Sequence, residues 1–177
     1  EAMAAVAGAM KVGDPLSEQT EMGPLISAAQ RDRTERYIAL GREEGARYVC
    51  GGERPEGEGF FLRPAIFAEA RPGMRIVDEE IFGPMVVVIP FDTEAQAIAI
   101  ANDSIYGLSG SLWTNDLKRA LRVARAVQTG VLSVNSSSSV HLQAPFGGFK
   151  QSGLGRELGM HALEHYTEIK NVYFETN

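Results

Sequence analysis

Two of the residue types that can perform chemistry, cysteine and histidine, have ordinary structural explanations in this sequence. The single cysteine, Cys50, could act as a nucleophile if a base, a cation or a helix N-terminus favoured its thiolate. It follows Tyr48-Val49 and precedes two glycines, so the sequence instead predicts a small residue of a strand. His161 and His165 are four residues apart but lack the glutamate and the third ligand of a zinc motif. Neither residue type predicts a reactive or metal site.

Three consecutive acids, Asp78, Glu79 and Glu80, precede the segment Ile81-Phe-Gly-Pro84. One hypothesis is a solvated acidic turn, which explains most acidic triplets. The other is a carboxylate that binds a sugar hydroxyl, with Phe82 beside a ring. Spacing alone favours the solvated turn.

The densest cluster of glycines and charges lies at residues 145–157, where Lys150, Arg156 and Glu157 fall in one loop. The run from Gly153 to Gly159 has the spacing G-x-G-x-x-x-G, one residue longer than the dinucleotide fingerprint. That fingerprint also needs a preceding strand and a long following helix, and both are missing from the pattern. A tight backbone turn is therefore the favoured interpretation, because glycine adopts positive φ freely.

The elements that must position these residues alternate between strands and helices. Ser27 and Gln30 form a capping box, which predicts a helix that ends near Glu44 before Gly45. The apolar run at 85–91 predicts a strand covered on both faces, and the alternating run at 168–174 predicts a final strand. A strand is also predicted at 60–67, and because Pro64 interrupts it, this strand should be an edge or irregular strand. The remaining predicted elements are helices at 93–101 and 117–127 and strands at 108–114 and 131–135. Asn115 or Asp116 would cap the second of these helices.

Strand–helix–strand–helix–strand with short links from 85 to 135 predicts parallel strands joined by right-handed crossovers. The fold class expected is α/β, with a parallel-rich open sheet and helices on both faces. The serine run at 136–139 follows a strand end, where α/β sheets place ligands.

Composition excludes some function classes. The chain has 17 basic and 23 acidic residues, a net charge of −6, so nucleic acid and membrane surfaces are poor partners. One cysteine indicates a reducing, cytoplasmic setting. The apolar run at 2–10 lacks a preceding basic residue and is too short for a membrane span. It predicts the tail of a helix in a chain whose upstream part is missing.

The motifs together resemble the aldehyde dehydrogenase superfamily. They occur in that family's order and approximate spacing: VGDP at 12–15, MGPLIS at 22–27, EEIFGP at 79–84, YGLSGSLWT at 106–114, VNSS at 134–137 and PFGGFKQSGLGRELG at 145–159. The resemblance covers essentially all of 11–175 and overturns the preference for a solvated turn at Glu80. It implies a chain truncated at its N-terminus, with a partial catalytic domain at 1–166 and a terminal oligomerisation strand at 167–177.

The resemblance also implies roles for individual residues. Glu80 would bind the nicotinamide-ribose hydroxyls of NAD or NADP, and Phe82 would pack beside the nicotinamide. Glu157 matches a glutamate of a proton relay. Lys150 and Gly153 match backbone positions that hold a monovalent cation such as potassium.

The aldehyde entrance would be lined by Phe146 and by the 136–143 loop. Many relatives carry aromatic residues in that loop, whereas here Ser136–Ser139, Val140 and His141 take their place. This difference argues against an aromatic cage for a cationic or aromatic substrate.

The function expected is part of an NAD(P)-dependent enzyme that oxidises an aldehyde to a carboxylic acid and works as a homo-oligomer, a dimer or tetramer. The resemblance places the nucleophilic cysteine, the general-base glutamate and nearly all of the dinucleotide-binding domain upstream, so the chain alone should be inactive. Two alternatives stay open. One is a non-catalytic half-domain that oligomerises or binds a partner, and the other is part of a CoA-acylating semialdehyde dehydrogenase.

Overall fold

The computed structural model of the chain describes residues 1–176. It consists of two compact units, Glu1–Phe91 and a second that begins at Asp92. The motif pattern did not indicate this boundary, which falls inside the expected partial catalytic domain at 1–166. No helix in the described part of the chain is both long and apolar enough to cross a bilayer.

The first unit contains a three-stranded mixed sheet. Its elements are α1 (Ala2–Ala9), α2 (Ala28–Glu43), β1 (Arg47–Cys50), β2 (Ala65–Ala68), α3 (Arg75–Asp78) and β3 (Met85–Val87). The strand order is β1-β2-β3, with β1 antiparallel to β2 and β2 parallel to β3. Cys50 lies opposite Ile66 in the ladder, which agrees with its interpretation as a strand residue.

The core of the first unit forms where β2 packs against α2. Phe67 and Leu62 are among the largest fully buried side chains, and the rings of Tyr48 and Phe67 form an edge-to-face pair with centroids 5.7 Å apart. Burial of a side chain such as Phe67 contributes about 1.5–3 kcal/mol to folding. This core fixes α2 against the sheet. The helix α2 also contacts the turn at residues 78–84, which contains the three acids and is called the acidic turn.

The observed bounds of α2 confirm the predicted helix, which begins after Ser27 and ends before Gly45. The Ser27 hydroxyl accepts a hydrogen bond from the Gln30 amide N–H at 3.2 Å, and Gly45 after the helix has a φ of +83°. The second hydrogen bond predicted for the capping box, between the Gln30 side chain and the Ser27 backbone amide, is not formed. The Gln30 side chain donates to carbonyls of the acidic turn instead.

The second unit is built on a parallel strand pair. Its elements are α4 (Glu94–Asn102), β4 (Ser109–Leu112), α5 (Leu117–Ala126), β5 (Val131–Val134) and two 3₁₀ turns, Lys150–Ser152 and Met160–His165. β4 and β5 pair in parallel with α5 as their connection. Thr93 caps α4, and Asp116 caps α5 through the Arg119 amide. The α/β class is confirmed.

Three predicted strands differ in the structure. The strand at 60–67 begins only after Pro64, so the proline stays outside the ladder and β2 is central rather than an edge strand. The strand at 85–91 is covered on one face only: alternate residues such as Val87 pack on the core, while Val86 is 46% exposed. The segment 168–174 is not a strand, because it has no hydrogen-bonded partner among the described residues.

Candidate functional site

The three acids of the triplet have different surroundings. Asp78 accepts a hydrogen bond of 3.4 Å from the Gly73 amide. Glu79 forms an ion pair with Arg75, with Nε 2.6 Å from Oε1, and accepts a hydrogen bond from the Tyr37 hydroxyl. The carboxylate of Glu80 is exposed and has no hydrogen bond or ion pair within residues 1–176. Of the three, Glu80 is therefore the acid whose carboxylate has no polar contact within residues 1–176, which leaves both of its oxygens available to a ligand.

Side chains of α2 hold the backbone of this turn. Arg33 Nη2 donates to the Glu80 carbonyl at 2.7 Å. The Gln30 side-chain amide donates to the carbonyls of Ile81 and Phe82 at 3.0 and 2.7 Å. These three bonds satisfy consecutive carbonyls that have no strand or helix partner. They fix the backbone of the turn and therefore the directions in which the side chains of Glu80 and Phe82 point.

Close packing beneath the turn depends on Gly83. A Cβ built at Gly83 would lie 2.2 Å from Oγ1 of Thr34, and Thr34 is fully buried on α2. The Thr34 hydroxyl itself donates to the Gln30 carbonyl at 3.0 Å. The turn can therefore approach α2 only with glycine at this position.

Phe82 combines an unusual backbone with an exposed ring. Its φ is +58°, a left-handed conformation that costs a bulky residue about 1–3 kcal/mol. The side chain is 78% exposed, and it lines a cavity of about 540 Å³ together with Met22–Leu25 and Leu62. The MGPL and EEIFGP segments thus meet at one cavity. A strained backbone that presents an aromatic ring to solvent is typical of a binding position.

The ion pair at Glu79 makes the stability of the first unit depend on pH. The Arg75 guanidinium, and after it the Tyr37 hydroxyl, lower the pKa of Glu79 from 4.5 to about 2. A carboxylate with a lower pKa in the folded state stabilises that state above its ordinary pKa, and the stabilisation is lost as the pH falls from 4.5 towards 2. Urea unfolding followed by circular dichroism should show a smaller loss of stability over this range in Glu79→Gln than in the wild type.

Glu80→Gln is the matched control for this measurement, because it removes the adjacent carboxylate, which has no partner. Hydrogen bonds also lower the pKa of Glu35, Glu94 and Asp116, and these groups are the same in all three proteins. Equal pH dependence in wild type and Glu79→Gln would show that the Arg75 pair does not stabilise the folded state.

A second cluster of predicted residues lies in the loop at 145–159. Phe146 and Glu157 exchange two backbone hydrogen bonds, each 2.7 Å long. Between them, Arg156 Nη1 donates to the carbonyls of Gly148 and Gly155 at 3.0 and 2.6 Å. The Arg156 amide donates to Nε2 of His165 at 3.1 Å. The loop is therefore a closed turn cross-linked by its own arginine.

This loop borders a cavity of about 650 Å³. Phe146, Gly153 and Glu157 all line it, and Glu157 is exposed at its surface. Val140 is 57% exposed and does not line this cavity, so the structure does not bring it together with Phe146 there.

Gly153, Gly155 and Gly159 have φ values of +139°, +78° and +56°. These values confirm the tight-turn interpretation of the glycine run.

Lys150, the other residue matched to a cation site, uses its side chain within the protein. Its ammonium donates to the carbonyls of Asn102 and Ser104 at 2.7 and 2.8 Å. Within residues 1–176, no group of three or more His, Cys, Asp or Glu side chains is arranged to hold a metal ion. The cation at the backbone of Lys150 and Gly153 stays a prediction.

Sequence reasoning missed the residues that hold these turns in place. The sequence pattern predicts that the Gln30 side chain caps its own helix, whereas its amide donates to carbonyls 51 and 52 residues away. Arg33 had no assigned role. The sequence also does not show that the carbonyls of Asn102 and Ser104 bind the Lys150 ammonium. The only sign of these free acceptors is that the predicted helix ends just before them.

Comparison with known proteins gives consistent matches along almost the whole chain. The aldehyde dehydrogenase family model matches residues 1–172. Betaine aldehyde dehydrogenase of Bacillus subtilis strain 168 is 47% identical over 171 residues, which are 94% of this chain and 35% of that protein. Betaine aldehyde dehydrogenase 1 of Rhizobium meliloti strain 1021 is 49% identical over 168 residues, 93% of this chain and 34% of that protein.

Solved structures agree with these matches. Mycobacterium tuberculosis aldehyde dehydrogenase complexed with NAD+ superimposes with a TM-score of 0.90 at 49% identity, covering 94% of this chain and 35% of that one. A mutant of Bacillus cereus aldehyde dehydrogenase gives a TM-score of 0.93 at 45% identity, covering 96% and 34%. The chain spans about a third of the length of the relatives it matches. Because the family model covers nearly every residue and the fold agrees, the chain belongs to the aldehyde dehydrogenase family.

Proposed function

We propose that this chain is the C-terminal part of an NAD(P)-dependent aldehyde dehydrogenase that oxidises an aldehyde to a carboxylic acid in a reducing, cytoplasmic setting. One observation carries the proposal: an exposed Glu80 carboxylate and an exposed Phe82 ring stand on a turn whose carbonyls are fixed by α2. The relative from Mycobacterium tuberculosis was solved with NAD+, which supports the same cofactor class here.

The residues present fit a nicotinamide nucleotide. A carboxylate without a protein partner can accept hydrogen bonds from two ribose hydroxyls, and such charge-assisted bonds are the strong ones. The Phe82 ring, held beside a cavity of about 540 Å³, offers an apolar face to a flat heterocycle. NAD(P)+, when bound, accepts a hydride from the aldehyde carbon.

The remaining roles concern the substrate side. Phe146 and Val140 would line the path of the aldehyde, and Glu157 would carry a proton at its exposed carboxylate beside the cavity of the 145–159 loop. Because Cys50 lies in the β1–β2 ladder, we assign the nucleophilic thiolate to a cysteine outside this chain. The isolated chain should then show no aldehyde oxidation.

A hybrid protein tests this proposal. Residues 1–172 would replace the matching third of the Bacillus subtilis betaine aldehyde dehydrogenase, and NADH formation would be followed with betaine aldehyde and other aldehydes. We expect turnover from the hybrid and none from the isolated chain above a heat-inactivated control. A hybrid that folds, judged by circular dichroism, but forms no NADH would contradict the proposal, and so would turnover by the isolated chain.

We further propose that the terminal segment joins two copies of the chain. Ile169, Val172 and Phe174 are 102%, 56% and 79% exposed, and residues 168–176 have no backbone hydrogen bond within the described chain. An extended segment with apolar side chains and unpaired amides can add a strand to another sheet. This observation also favours the alternative of a non-catalytic oligomerisation module.

Light scattering of the purified chain over a range of concentrations measures this association. We expect a mass of at least twice 19.2 kDa that falls to the monomer value when residues 167–177 are deleted. A monomer at high concentration, unchanged by the deletion, would contradict self-association through this segment. The non-catalytic alternative additionally requires that the hybrid enzyme be inactive.

A further inference from the structure

The ammonium of Lys150 occupies a pair of backbone carbonyls at the end of α4. Nζ lies 2.7 Å from the Asn102 carbonyl oxygen and 2.8 Å from that of Ser104. Asn102 is the last residue of α4, so its carbonyl has no partner within the helix and carries part of the negative end of the helix dipole. A cation at this place satisfies two acceptors that the helix and the following turn leave open.

The same short turn is tied to residues 105–107 by three further bonds. The Gln151 amide donates to the Ile105 carbonyl at 2.9 Å, and the Phe149 amide donates to the Gly107 carbonyl at 2.8 Å. The Gly107 amide donates to the Ser152 hydroxyl at 2.9 Å. Lys150 provides the charged contacts in this set. It also holds a left-handed φ of +53°, so the turn does not keep its shape from local preference alone.

From this turn the contacts continue to the residues that line the cavity. The Arg156 guanidinium lies 5.4 Å from the centre of the Phe149 ring and donates to the Gly148 carbonyl at 3.0 Å. Arg156 is adjacent to Glu157, whose backbone pairs with Phe146. Movement of residues 149–152 would therefore be transmitted to both candidate site residues.

We propose that Lys150 is a positioning residue, whose ammonium, bound to the carbonyls of Asn102 and Ser104, holds Phe146 and Glu157 in place. The expected effect on catalysis rests on the function proposed above, but the effect on the loop does not. Lysine is replaceable here only by a group that keeps a charged donor at the same reach, since an apolar side chain gives up both charge-assisted bonds that tie the turn to Asn102 and Ser104.

Amide hydrogen exchange in the 177-residue chain tests the first part. In Lys150→Met, we expect the Phe146, Phe149, Gln151 and Glu157 amides to exchange at least about tenfold faster, because charge-assisted bonds are lost. Lys150→Arg should restore most of the protection. Lys118→Met removes a lysine from the outer face of α5 and is the matched control. Unchanged exchange in Lys150→Met, or equally faster exchange of every amide in β4 and β5, would overturn the proposal.

Kinetics of the hybrid enzyme test the second part. We expect Lys150→Met to lower kcat about tenfold with little change in the KM for NAD+, and Lys150→Arg to recover it. If the unmodified hybrid is inactive, the proposed function fails while the exchange result still decides the positioning role. If Lys150→Met and Lys150→Arg lose activity equally, or if only the KM for NAD+ rises, the positioning role is wrong.

Discussion

Replacing Gly130 with alanine is expected to lower the free energy of unfolding by about 1–3 kcal/mol, because the added methyl group overfills a packed site. A Cβ at Gly130 would lie 1.7 Å from the carbonyl oxygen of Gly147 and 3.2 Å from Cα of Gly148. Both neighbours are backbone atoms, so no side chain can rotate away. The substitution must displace the 145–159 loop from the start of β5.

Urea unfolding and limited proteolysis measure this effect. Gly130→Ala should unfold at lower urea concentration, and its 145–159 loop should be cleaved faster than in the wild type. Gly8→Ala is the matched control, since its Cβ would meet no atom within 4 Å and alanine favours a helix by about 0.5–1 kcal/mol. Wild-type unfolding and cleavage in Gly130→Ala would show that the loop does not pack on β5 as described.

The second large effect concerns the hybrid enzyme, in which Glu80→Gln should reduce kcat/KM for NAD+ by roughly 5- to 15-fold, because a neutral hydrogen bond retains about 0.5–1.5 kcal/mol. A carboxylate on ribose hydroxyls contributes about 1.5–3 kcal/mol, and the neutral amide loses the charge-assisted part. The Arg33 bond to the Glu80 carbonyl is a backbone contact and persists in the variant, so the turn keeps its place.

Steady-state kinetics with NAD+ and aldehyde varied separately measure this loss. Glu56→Gln changes an exposed carboxylate in the surface loop at 51–59 and should leave both parameters unchanged. Kinetics of Glu80→Gln that match the unmodified hybrid for both substrates would contradict cofactor binding by Glu80.

Local rules were sufficient for α2, α4 and α5, whereas the four-residue helix α3 was not predicted. Thr93 and Asp116 cap their helices with bonds to residues three positions along, which is a spacing that a sequence displays directly. The family motifs were also readable, because residue type and order are properties of the sequence. The boundaries of these three helices and the family were therefore predictable.

The sequence alone could not predict that Glu79 forms the ion pair with Arg75 while the Glu80 carboxylate stays without a partner among the described residues. The two residues are identical in type and adjacent, and only the end of α3 decides which one faces Arg75. The role of Gln30 depends on the packing of α2 over the turn, which is a tertiary contact. The error at 168–174 has a related cause, because an alternating pattern shows that a strand can pair but not that a partner is present.

The hydrogen bond between the Arg156 amide and His165 fixes the tautomer of the imidazole ring. A ring that accepts at Nε2 must carry its proton on Nδ1. His165 therefore joins the 3₁₀ turn Met160–His165 to the 145–159 loop in one tautomer only, and nitrogen NMR of the ring should show the Nδ1–H form.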